Sequence, residues 1–419
     1  MIFLYRILIN FIVILSPIIL IIRIIKKKEH PIRFKEKFSI FSKKRRPGKL
    51  IWFHGASVGE ILSIMPLVKK LEKNKKINQI LITSSTLSSA NIFTKFNFKK
   101  TVHQFFPVDT NFNTKKFLSY WKPSLAIFID SEIWPNMLTN LKKKSIPHVL
   151  INARITKKSY KRWKLLPALS KNLFKNFAAT YPANKETSKY LKSLGAKKIK
   201  FLGNLKFSEN ELDKKNTINH DLKKFLKNKI HWCAASTHED EELICSHAYL
   251  KLQKKKKNLV TIIIPRHINR SQELVRTISK IGLKVHCHSW KKKIDKHTQI
   301  YLVDTYGETK SFFKISKVVF LGGSIINHGG QNPLEAARYG CKIMHGPNIQ
   351  NFKEIYDFLE KSNFTVSANN SNQISINLSN ILKNKIKSKL LTKKIKILGV
   401  QILNSTLKEV ENFIVKNED

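Results

Sequence analysis

The stretch Lys49-Leu-Ile-Trp-Phe-His-Gly-Ala-Ser-Val-Gly-Glu60 decides the fold. Its apolar run predicts a buried strand that ends before Gly55, and apolar residues then recur at helical spacing. Ser57 is the predicted N-cap of that helix, with Glu60 three residues later. A buried strand that turns at once into a helix is the repeating unit of an open α/β sheet.

Glu60 has two interpretations. Ser-x-x-Glu is a capping box, which is typical of any helix start, and the spacing by itself favours this interpretation. Alternatively Glu60 is a functional carboxylate, because open α/β sheets bind their ligands at the carboxyl ends of the strands. In either case its position at a helix N-terminus predicts a lowered pKa.

Short apolar runs alternate with helical patterns along the chain. A length of 419 residues exceeds what one core usually serves. We therefore predict two doubly wound, parallel α/β domains, residues 29–207 and 220–419, with a linker at 208–219 and the last helix packing back on the body. The predicted strands are residues 50–53, 80–84, 125–129, 148–151, 199–206, 231–235, 259–264, 284–287, 300–303, 318–321 and 341–344.

Residues 1–22 are almost wholly apolar, and Arg23 and the run Lys26, Lys27, Lys28 follow at once. This predicts a membrane anchor over residues 1–28 that keeps the basic flank, and so the body, on the cytoplasmic face of the inner membrane. A cleavable signal peptide is disfavoured, since no small-x-small site precedes the basic cluster. Whether the segment spans the membrane or lies in it stays open at this point.

The chain has 78 basic and 28 acidic residues and a formal net charge of +50. The lysines are spread through the chain without an RNP, zinc-knuckle or recognition-helix signature, so we predict no nucleic-acid partner. An anionic membrane surface or a phosphorylated substrate is the favoured partner. The four cysteines lack metal-ligand spacing and are predicted to be reduced core residues.

Polar and glycine-rich turns follow several strands of the second half. Pro265-Arg266-His267 offers a guanidinium suited to phosphate, and Gly329-Gly-Gln-Asn-Pro-Leu-Glu335 opens a helix with Pro333 at its first position. Gly307-Glu308-Thr309 forms a further turn, and Ser236-Thr-His-Glu239 is a predicted capped helix start. Neither a Rossmann nor a P-loop fingerprint is present. Together these turns predict a nucleotide site in the second domain.

Eight motifs follow one another along the chain. They are His54-Gly-Ala-Ser-Val-Gly-Glu60, Ser131-Glu-Ile-Trp-Pro-Asn136, Asn152-Ala-Arg154, Gly203-Asn-Leu-Lys206, Ala235-Ser-Thr-His238, Pro265-Arg-His267, Gly307-Glu308 and Gly329-Gly-Gln-Asn-Pro-Leu-Glu335. In this order they resemble the motif set of the 3-deoxy-D-manno-octulosonic acid (Kdo) transferase family. The resemblance extends from the N-terminal anchor to beyond Pro347.

The resemblance implies a glycosyltransferase-B fold of two Rossmann-like domains, a CMP-Kdo donor and the lipid A precursor lipid IVA as acceptor, in lipopolysaccharide biosynthesis. It implies that Glu60 is the proton acceptor and that Glu132 and Lys206 stabilise the transition state. Ser57 and Arg154 are the expected acceptor contacts. No cofactor or metal is expected. The implied CMP contacts are Pro265, Arg266, Gly307, Glu308, Thr309, Asn332, Pro333, Leu334 and Glu335.

Two alternatives remain open from the sequence. Asp130-Ser131-Glu132 is a D-x-E sequence at a strand end that is able to hold Mg²⁺ or Mn²⁺, which would make the protein a metal-dependent glycosyltransferase. The basic charge and the anchor also suit a membrane-tethered protein that binds anionic lipid without catalysis.

Overall fold

The computed structural model describes residues 2–209, 218–384 and 388–415. The chain divides into two compact units, Met1–Asn210 with Leu398–Asp419, and Glu211–Ile397. The predicted linker at 208–219 falls mainly on residues 210–217, which lie outside the described residues.

The first unit alternates strands and helices as predicted, and short 3₁₀ helices lie at Arg33–Phe38 and Leu205–Ser208. Its elements are α1 (Ile2–Ile25), β1 (Leu50–His54), α2 (Val58–Leu71), β2 (Gln79–Ser84), α3 (Leu87–Phe93), β3 (Thr101–Phe105), α4 (Asn111–Trp121), β4 (Leu125–Ile129), α5 (Pro135–Lys143), β5 (His148–Ala153), α6 (Lys157–Lys164), α7 (Pro167–Phe174), β6 (Ala179–Pro182) and α8 (Lys185–Ser193).

The six strands form one parallel sheet in the order β3-β2-β1-β4-β5-β6. β1 and β4 are buried along their whole length because helices cover both faces of the sheet. Trp52 lies in the core between Phe117 and Phe128, with ring centroids 4.9 and 5.4 Å apart. This strand order is that of the doubly wound Rossmann fold. Successive strands are added on one side of β1 up to β3 and on its other side from β4 onward, so the switch point lies between β1 and β4.

The second unit repeats the architecture with a further 3₁₀ helix at Ile268–Arg270. Its elements are α9 (His220–Leu226), β7 (Ile230–Thr237), α10 (Glu241–Gln253), β8 (Leu259–Pro265), α11 (Ser271–Lys280), β9 (Val285–Cys287), β10 (Ile300–Leu302), α12 (Thr309–Ile315), β11 (Val318–Leu321), α13 (Leu334–Arg338), β12 (Lys342–His345), α14 (Lys353–Lys361), β13 (Thr365–Ser367) and α15 (Ser371–Lys383).

The second sheet is also parallel, in the order β13-β12-β11-β7-β8-β10-β9. The order in which its strands are added reverses between β7 and β11, so a second switch point lies there. All four cysteines are free and buried. The fold is therefore α/β with two Rossmann-like units, the fold class that the motifs imply.

Several sequence predictions differ from the structure. Residues 199–206 form no strand and leave only a bridge from Ile199 to Thr180, because a turn and a 3₁₀ helix occupy the segment. β3, β6 and β13 were not predicted, since they are short or carry polar side chains. The last helix, α16 (Ser388–Val415), begins in the second unit, but from Leu398 onward it belongs to the first. The second unit therefore ends at Ile397, and not at residue 419 as predicted.

The N-terminal helix is the one element among the described residues that is long and apolar enough to cross a membrane. α1 has 24 residues with Pro17 inside, and none of them is fully buried. Proline removes a donor that a helix interior otherwise uses. Residues 2–25 nevertheless form one continuous helix, which includes most of the predicted anchor.

Candidate functional site

Glu60 and Glu132 follow the two neighbouring strands of the first switch point. Glu60 lies in the first turn of α2, directly after β1, and Glu132 lies in the turn between β4 and α5. β1 and β4 pair in parallel from Ile51 and Leu125 onward. Their carboxyl ends therefore meet at one edge of the sheet and bring both carboxylates into the same crevice.

The capping box at Ser57 is confirmed, with one change. The Ser57 hydroxyl accepts from the backbone N–H of Glu60 at 3.3 Å. Glu60 reaches back to the N–H of Ala56 at 2.7 Å, one residue before the usual cap position, and its other oxygen accepts from Ser57 Oγ at 2.7 Å. A side chain on Gly55 would approach Cβ of Glu60 to 3.1 Å, so a glycine there leaves room for the carboxylate.

The pKa of Glu60 is raised to about 7, contrary to the lowering expected at a helix start. Burial is the largest cause, and the negative charges of Glu132 and Asp130 add to it. The hydrogen bonds from Ser57 and Ala56 oppose the rise without cancelling it. The expectation considered only the helix end, whereas the carboxylate is also desolvated and faces two like charges.

Glu132 is held by an imidazole and an indole. Its Oε2 is 3.0 Å from His54 Nε2 and accepts from Trp134 Nε1 at 2.8 Å. Burial alone raises the pKa of Glu132, but the hydrogen bond and charge of His54, with the bond from Trp134, leave it lowered overall. The pKa values of the two carboxyl groups are therefore shifted in opposite directions. Glu60 is suited to act as a base near neutral pH, and Glu132 stays an anion.

His54 is a site residue to which the sequence assigned no role. It ends β1, is fully buried and stacks on Phe106 with ring centroids 3.7 Å apart. Its Nδ1 lies 3.0 Å from Thr83 Oγ1 and 3.2 Å from the Thr83 carbonyl, which fixes the ring towards Glu132. A histidine that closes an otherwise apolar strand was the available signal.

The turns after β4 and β5 have unusual backbone angles. Asp130 has φ of 60° and Asn152 has φ of 51°, values that favour residues with short polar side chains. The N–H of Arg154 donates to the carbonyl of Asp130 at 3.1 Å, so the Asn152-Ala-Arg154 motif adjoins the Glu132 turn. Within the described ranges, no group of three or more His, Cys, Asp or Glu side chains is arranged to hold a metal ion.

Lys206 lies on a 3₁₀ turn beside α2. The side chain of Asn204 accepts from the N–H of Lys206 at 2.9 Å, and Asn152 Oδ1 accepts from the N–H of Leu205 at 2.9 Å. Gly399 of α16 allows the helix to approach the turn, because a Cβ there would meet the Phe207 carbonyl at 2.3 Å. The Gly203-Asn-Leu-Lys206 motif is thus fixed against the Asn152 motif.

In the second unit, Glu241 organises the switch point between β7 and β11. It is fully buried, and its carboxylate accepts four backbone N–H groups within 3.0 Å, those of His238, Gly323, Ser324 and Ile325. β7 continues through Thr237 and α10 begins only at Glu241, so the predicted helix start at Ser236 is wrong. The backbone bends instead at Asp240, with φ of 70°.

Basic side chains gather at this edge. His238 lies 5.6 Å from His267 and 4.5 Å from His328 between ring centroids, and its buried Nε2 has no hydrogen-bond partner within the part of the chain that the structure describes. The Arg266 backbone N–H donates to the Thr237 carbonyl at 2.8 Å, while its side chain is exposed. Arg266 is thus available to an anion, and His238, to which the sequence motifs gave no role of its own, faces the same place.

The third predicted nucleotide segment adjoins this cluster. Gly330 donates to the Gly323 carbonyl at 2.8 Å, and a Cβ on Gly323 would meet Gln331 Nε2 at 3.2 Å. α13 begins at Leu334, one residue later than predicted, and Asn332 Oδ1 caps it by accepting from the Leu334 N–H at 3.1 Å. Glu335 lies in its first turn, half-buried.

The segment Gly307-Glu308-Thr309 follows β10, which pairs with β8 and so neighbours the strand that ends at Pro265. Gly307 has φ of 90°, a conformation that favours glycine. The Glu308 carboxylate pairs with His288 at 2.7 Å. α12, which starts at Thr309, packs beside α13. All three predicted segments therefore lie at the same edge of the second sheet.

Two Rossmann-like units, each with a switch point that carries polar or charged turns, give the chain the glycosyltransferase-B fold. The chain belongs to the Kdo transferase family. The model of the family described as 3-deoxy-D-manno-octulosonic-acid transferase (kdotransferase) matches residues 32–209.

Similar proteins support this membership. The 3-deoxy-D-manno-octulosonic acid transferase of Rickettsia bellii is 34% identical over 338 residues, 81% of this chain and 80% of that protein. The one from Haemophilus influenzae is 30% identical over 317 residues, 75% of this chain and 74% of that protein. UDP-GlcNAc 2-epimerase from Neisseria meningitidis, 14% identical with a TM-score of 0.61 over 88% of this chain and 100% of its own, shares the fold alone.

Proposed function

We propose that this Kdo transferase moves Kdo from CMP-Kdo to lipid IVA with inversion at the anomeric carbon, on the cytoplasmic face of the inner membrane. The observation that carries the proposal is the carboxylate pair of the first unit. The pKa of Glu60 is raised to about 7, and the pKa of Glu132 is lowered. Such a pair separates the work of a proton acceptor from that of a fixed negative charge.

The chemistry assigned to Glu60 is general base catalysis. Its carboxylate takes the proton from a hydroxyl of the acceptor while the hydroxyl oxygen bonds to the anomeric carbon of Kdo. The bond between that carbon and the phosphate oxygen breaks, and CMP leaves with the electron pair. A base with a pKa near 7 accepts this proton more readily than an ordinary glutamate does.

Glu132 and Lys206 are assigned to the transition state. The anomeric carbon passes through an oxocarbenium-like state that a fixed carboxylate stabilises, and the His54–Glu132 bond at 3.0 Å keeps that carboxylate in one orientation. Lys206 supplies positive charge from a turn that Asn152 and Asn204 hold. Ser57 and Arg154 are the proposed acceptor contacts, since both lie in turns at the same sheet edge as Glu60.

The second unit is assigned to the donor. The exposed Arg266 guanidinium suits the phosphate of CMP, and the charge that develops on the leaving group is stabilised there. Glu335 suits the ribose hydroxyls because, among the described residues, its carboxylate has no hydrogen-bond or ion-pair partner. Pro265, the turn Gly307-Glu308-Thr309 and the segment from Asn332 to Leu334 complete the proposed CMP contacts.

The test is transfer from CMP-Kdo to lipid IVA, followed by mass spectrometry of the lipid. Glu60→Gln should abolish transfer while CMP still raises the melting temperature. Glu186→Gln is the matched control, because Glu186 also lies in the first turn of a capped helix of the same unit but is exposed. Undiminished transfer by Glu60→Gln would refute the assignment of the base.

A further inference from the structure

The first turns of α1 are bound to the folded body. Tyr5 Oη donates to Asp109 Oδ2 at 2.8 Å. Arg6 Nε donates to Asn136 Oδ1 at 2.9 Å, and its Nη2 donates to Asn111 Oδ1 at 3.3 Å. Ile2 packs against the hydrophobic core of the first unit. The N-terminal end of this apolar helix therefore has specific polar partners in the body.

The site where α1 binds is buried and hydrogen-bonded. Asp109 is 1% exposed and accepts from the backbone N–H groups of Asn136 at 3.0 Å and Met137 at 2.8 Å, so it caps the start of α5. The Asn136 side chain donates to the Asp109 carbonyl at 2.6 Å. Tyr5 and Arg6 thus complete a hydrogen-bond network at the carboxyl edge of the sheet. One member of this network, Asn136, is four residues after Glu132 in the chain.

The other end of α1 is held to the same unit. Arg23 donates to the buried Glu29 at 3.3 Å, and Lys37 binds the same oxygen at 2.5 Å. The carbonyl of Lys37 accepts from the N–H of Val108, next to Asp109. Tyr5 and Arg23 are 18 residues apart, about 27 Å along a helix, which is close to the thickness of the hydrocarbon core. A spanning helix cannot hold both residues against one body.

One narrow stripe of α1 is half-buried, and the rest of the helix is exposed. Ile9, Val13, Ser16 and Leu20 are half-buried at helical spacing. The remaining surface is apolar and exposed, for example Phe3 at 72%, Ile14 at 73% and Ile25 at 74%. On the body, Phe112 follows Asn111, which binds Arg6, and is itself 72% exposed. Exposure of so large an apolar face to water is unfavourable. The basic residues Lys26, Lys27 and Lys28 adjoin this face.

We infer that α1 lies in the plane of the membrane, with its outer face in the acyl boundary and its inner stripe docked on the first unit by Tyr5 and Arg6. The occupant of the outer face is a bilayer with anionic headgroups, because apolar and basic side chains adjoin there. α1 is apolar almost all round because the body replaces the water that a polar face would meet. The inference rests on the membrane attachment proposed above, not on Kdo transfer.

The first test is the sidedness of the N-terminus. The full chain carries a protease-cleavable tag before Met1, and protease is added to right-side-out and to inverted membrane vesicles. An in-plane helix exposes the tag only in inverted vesicles. Cleavage in right-side-out vesicles shows a spanning helix and overturns the inference. A chain recovered in the soluble fraction overturns the attachment itself, while transfer in that fraction still tests the proposed reaction.

The second test separates docking from a hairpin that returns through the membrane. Tyr5→Phe and Asp109→Asn are made singly and together, and the melting temperature is measured in lipid nanodiscs. Docking predicts that the melting temperature of the double variant falls by less than the sum of the two single decreases. The second substitution then finds the Tyr5–Asp109 hydrogen bond already lost. Ser16→Ala with Asp109→Asn is the matched control, since among the described residues Ser16 Oγ donates within α1, to the Val13 carbonyl. Additive shifts for Tyr5 and Asp109 overturn the inference.

Discussion

Replacing Glu60 by glutamine changes one property of the site and keeps the others. A glutamine side chain retains the length of glutamate, offers a carbonyl to the Ala56 N–H and leaves a partner for Ser57 Oγ, which as a hydroxyl also accepts. It fits the same capping box. Only the ionisation is lost, so the stability of the variant reports the state of this carboxylate.

The size of the effect follows from the pKa. Burial, with the charges of Glu132 and Asp130, raises the pKa of Glu60 from 4.5 to about 7. Each tenfold change in acidity corresponds to about 1.4 kcal/mol, so the ionised form costs the folded state about 3 kcal/mol relative to the unfolded chain.

The sign follows from proton uptake. Between pH 4.5 and 7 the folded protein holds a proton on Glu60 that the unfolded chain releases, so this carboxylate lowers stability as pH rises through that window. Glu60→Gln does not titrate there. Relative to wild type it should gain up to about 3 kcal/mol between pH 5 and pH 8, on top of a constant loss of about 1 kcal/mol for the weakened hydrogen bonds.

The assay is urea unfolding of detergent-purified protein at pH 5 and pH 8, for wild type, Glu60→Gln and Glu186→Gln. Other titrating groups cancel when each variant is compared with wild type at the same pH. The Glu186→Gln difference should not change with pH by the same amount. If Glu60→Gln is less stable than wild type by the same 0.5 to 2 kcal/mol that a lost cap costs, at both pH values, then Glu60 is an ordinary capping residue and the reasoning fails.

Four further outcomes are expected. The kcat of wild type should rise with pH and level off above about 7, as the Glu60 carboxylate ionises; a rate that is flat from pH 5 to 8 contradicts this. Arg266→Ala should weaken CMP binding by about 1.5 to 3 kcal/mol in calorimetry, while Arg276→Ala, an exposed arginine of α11, should not. Transfer should survive EDTA; loss that Mg²⁺ or Mn²⁺ restores would make Asp130 and Glu132 a metal site. Deleting residues 1–28 should raise the KM for vesicle-embedded acceptor far more than for detergent-solubilised acceptor, because the anchor supplies effective concentration; equal losses would mean that it does not.

The sequence predicted the turns better than their surroundings. The strand before Gly55 and the capping box are present because both depend on residues close in the chain. The direction of the Glu60 pKa was wrong, since burial and the approach of Glu132 arise only when β1 and β4 pair. His54 could not be assigned for the same reason, as its partner is 78 residues away.

Helix and domain boundaries show a similar limit. The amphipathic pattern predicted a helix at the C-terminus, but not that its second half belongs to the first unit, where Lys49 donates to the Ile414 carbonyl at 2.7 Å and Lys200 pairs with Glu409 at 2.5 Å. The long apolar segment at the N-terminus was evident from composition. Its contacts with Asp109 and Asn136 were not, because hydrogen bonds between residues more than a hundred positions apart leave no local pattern.

The most direct test of the account is the mass of the lipid after the purified chain has been incubated with CMP-Kdo and lipid IVA. The account predicts that lipid IVA gains the mass of one or more Kdo residues, that CMP appears in equal molar amount, and that Glu60→Gln yields neither. Folded wild-type protein that binds CMP, yet leaves lipid IVA unchanged, would contradict it.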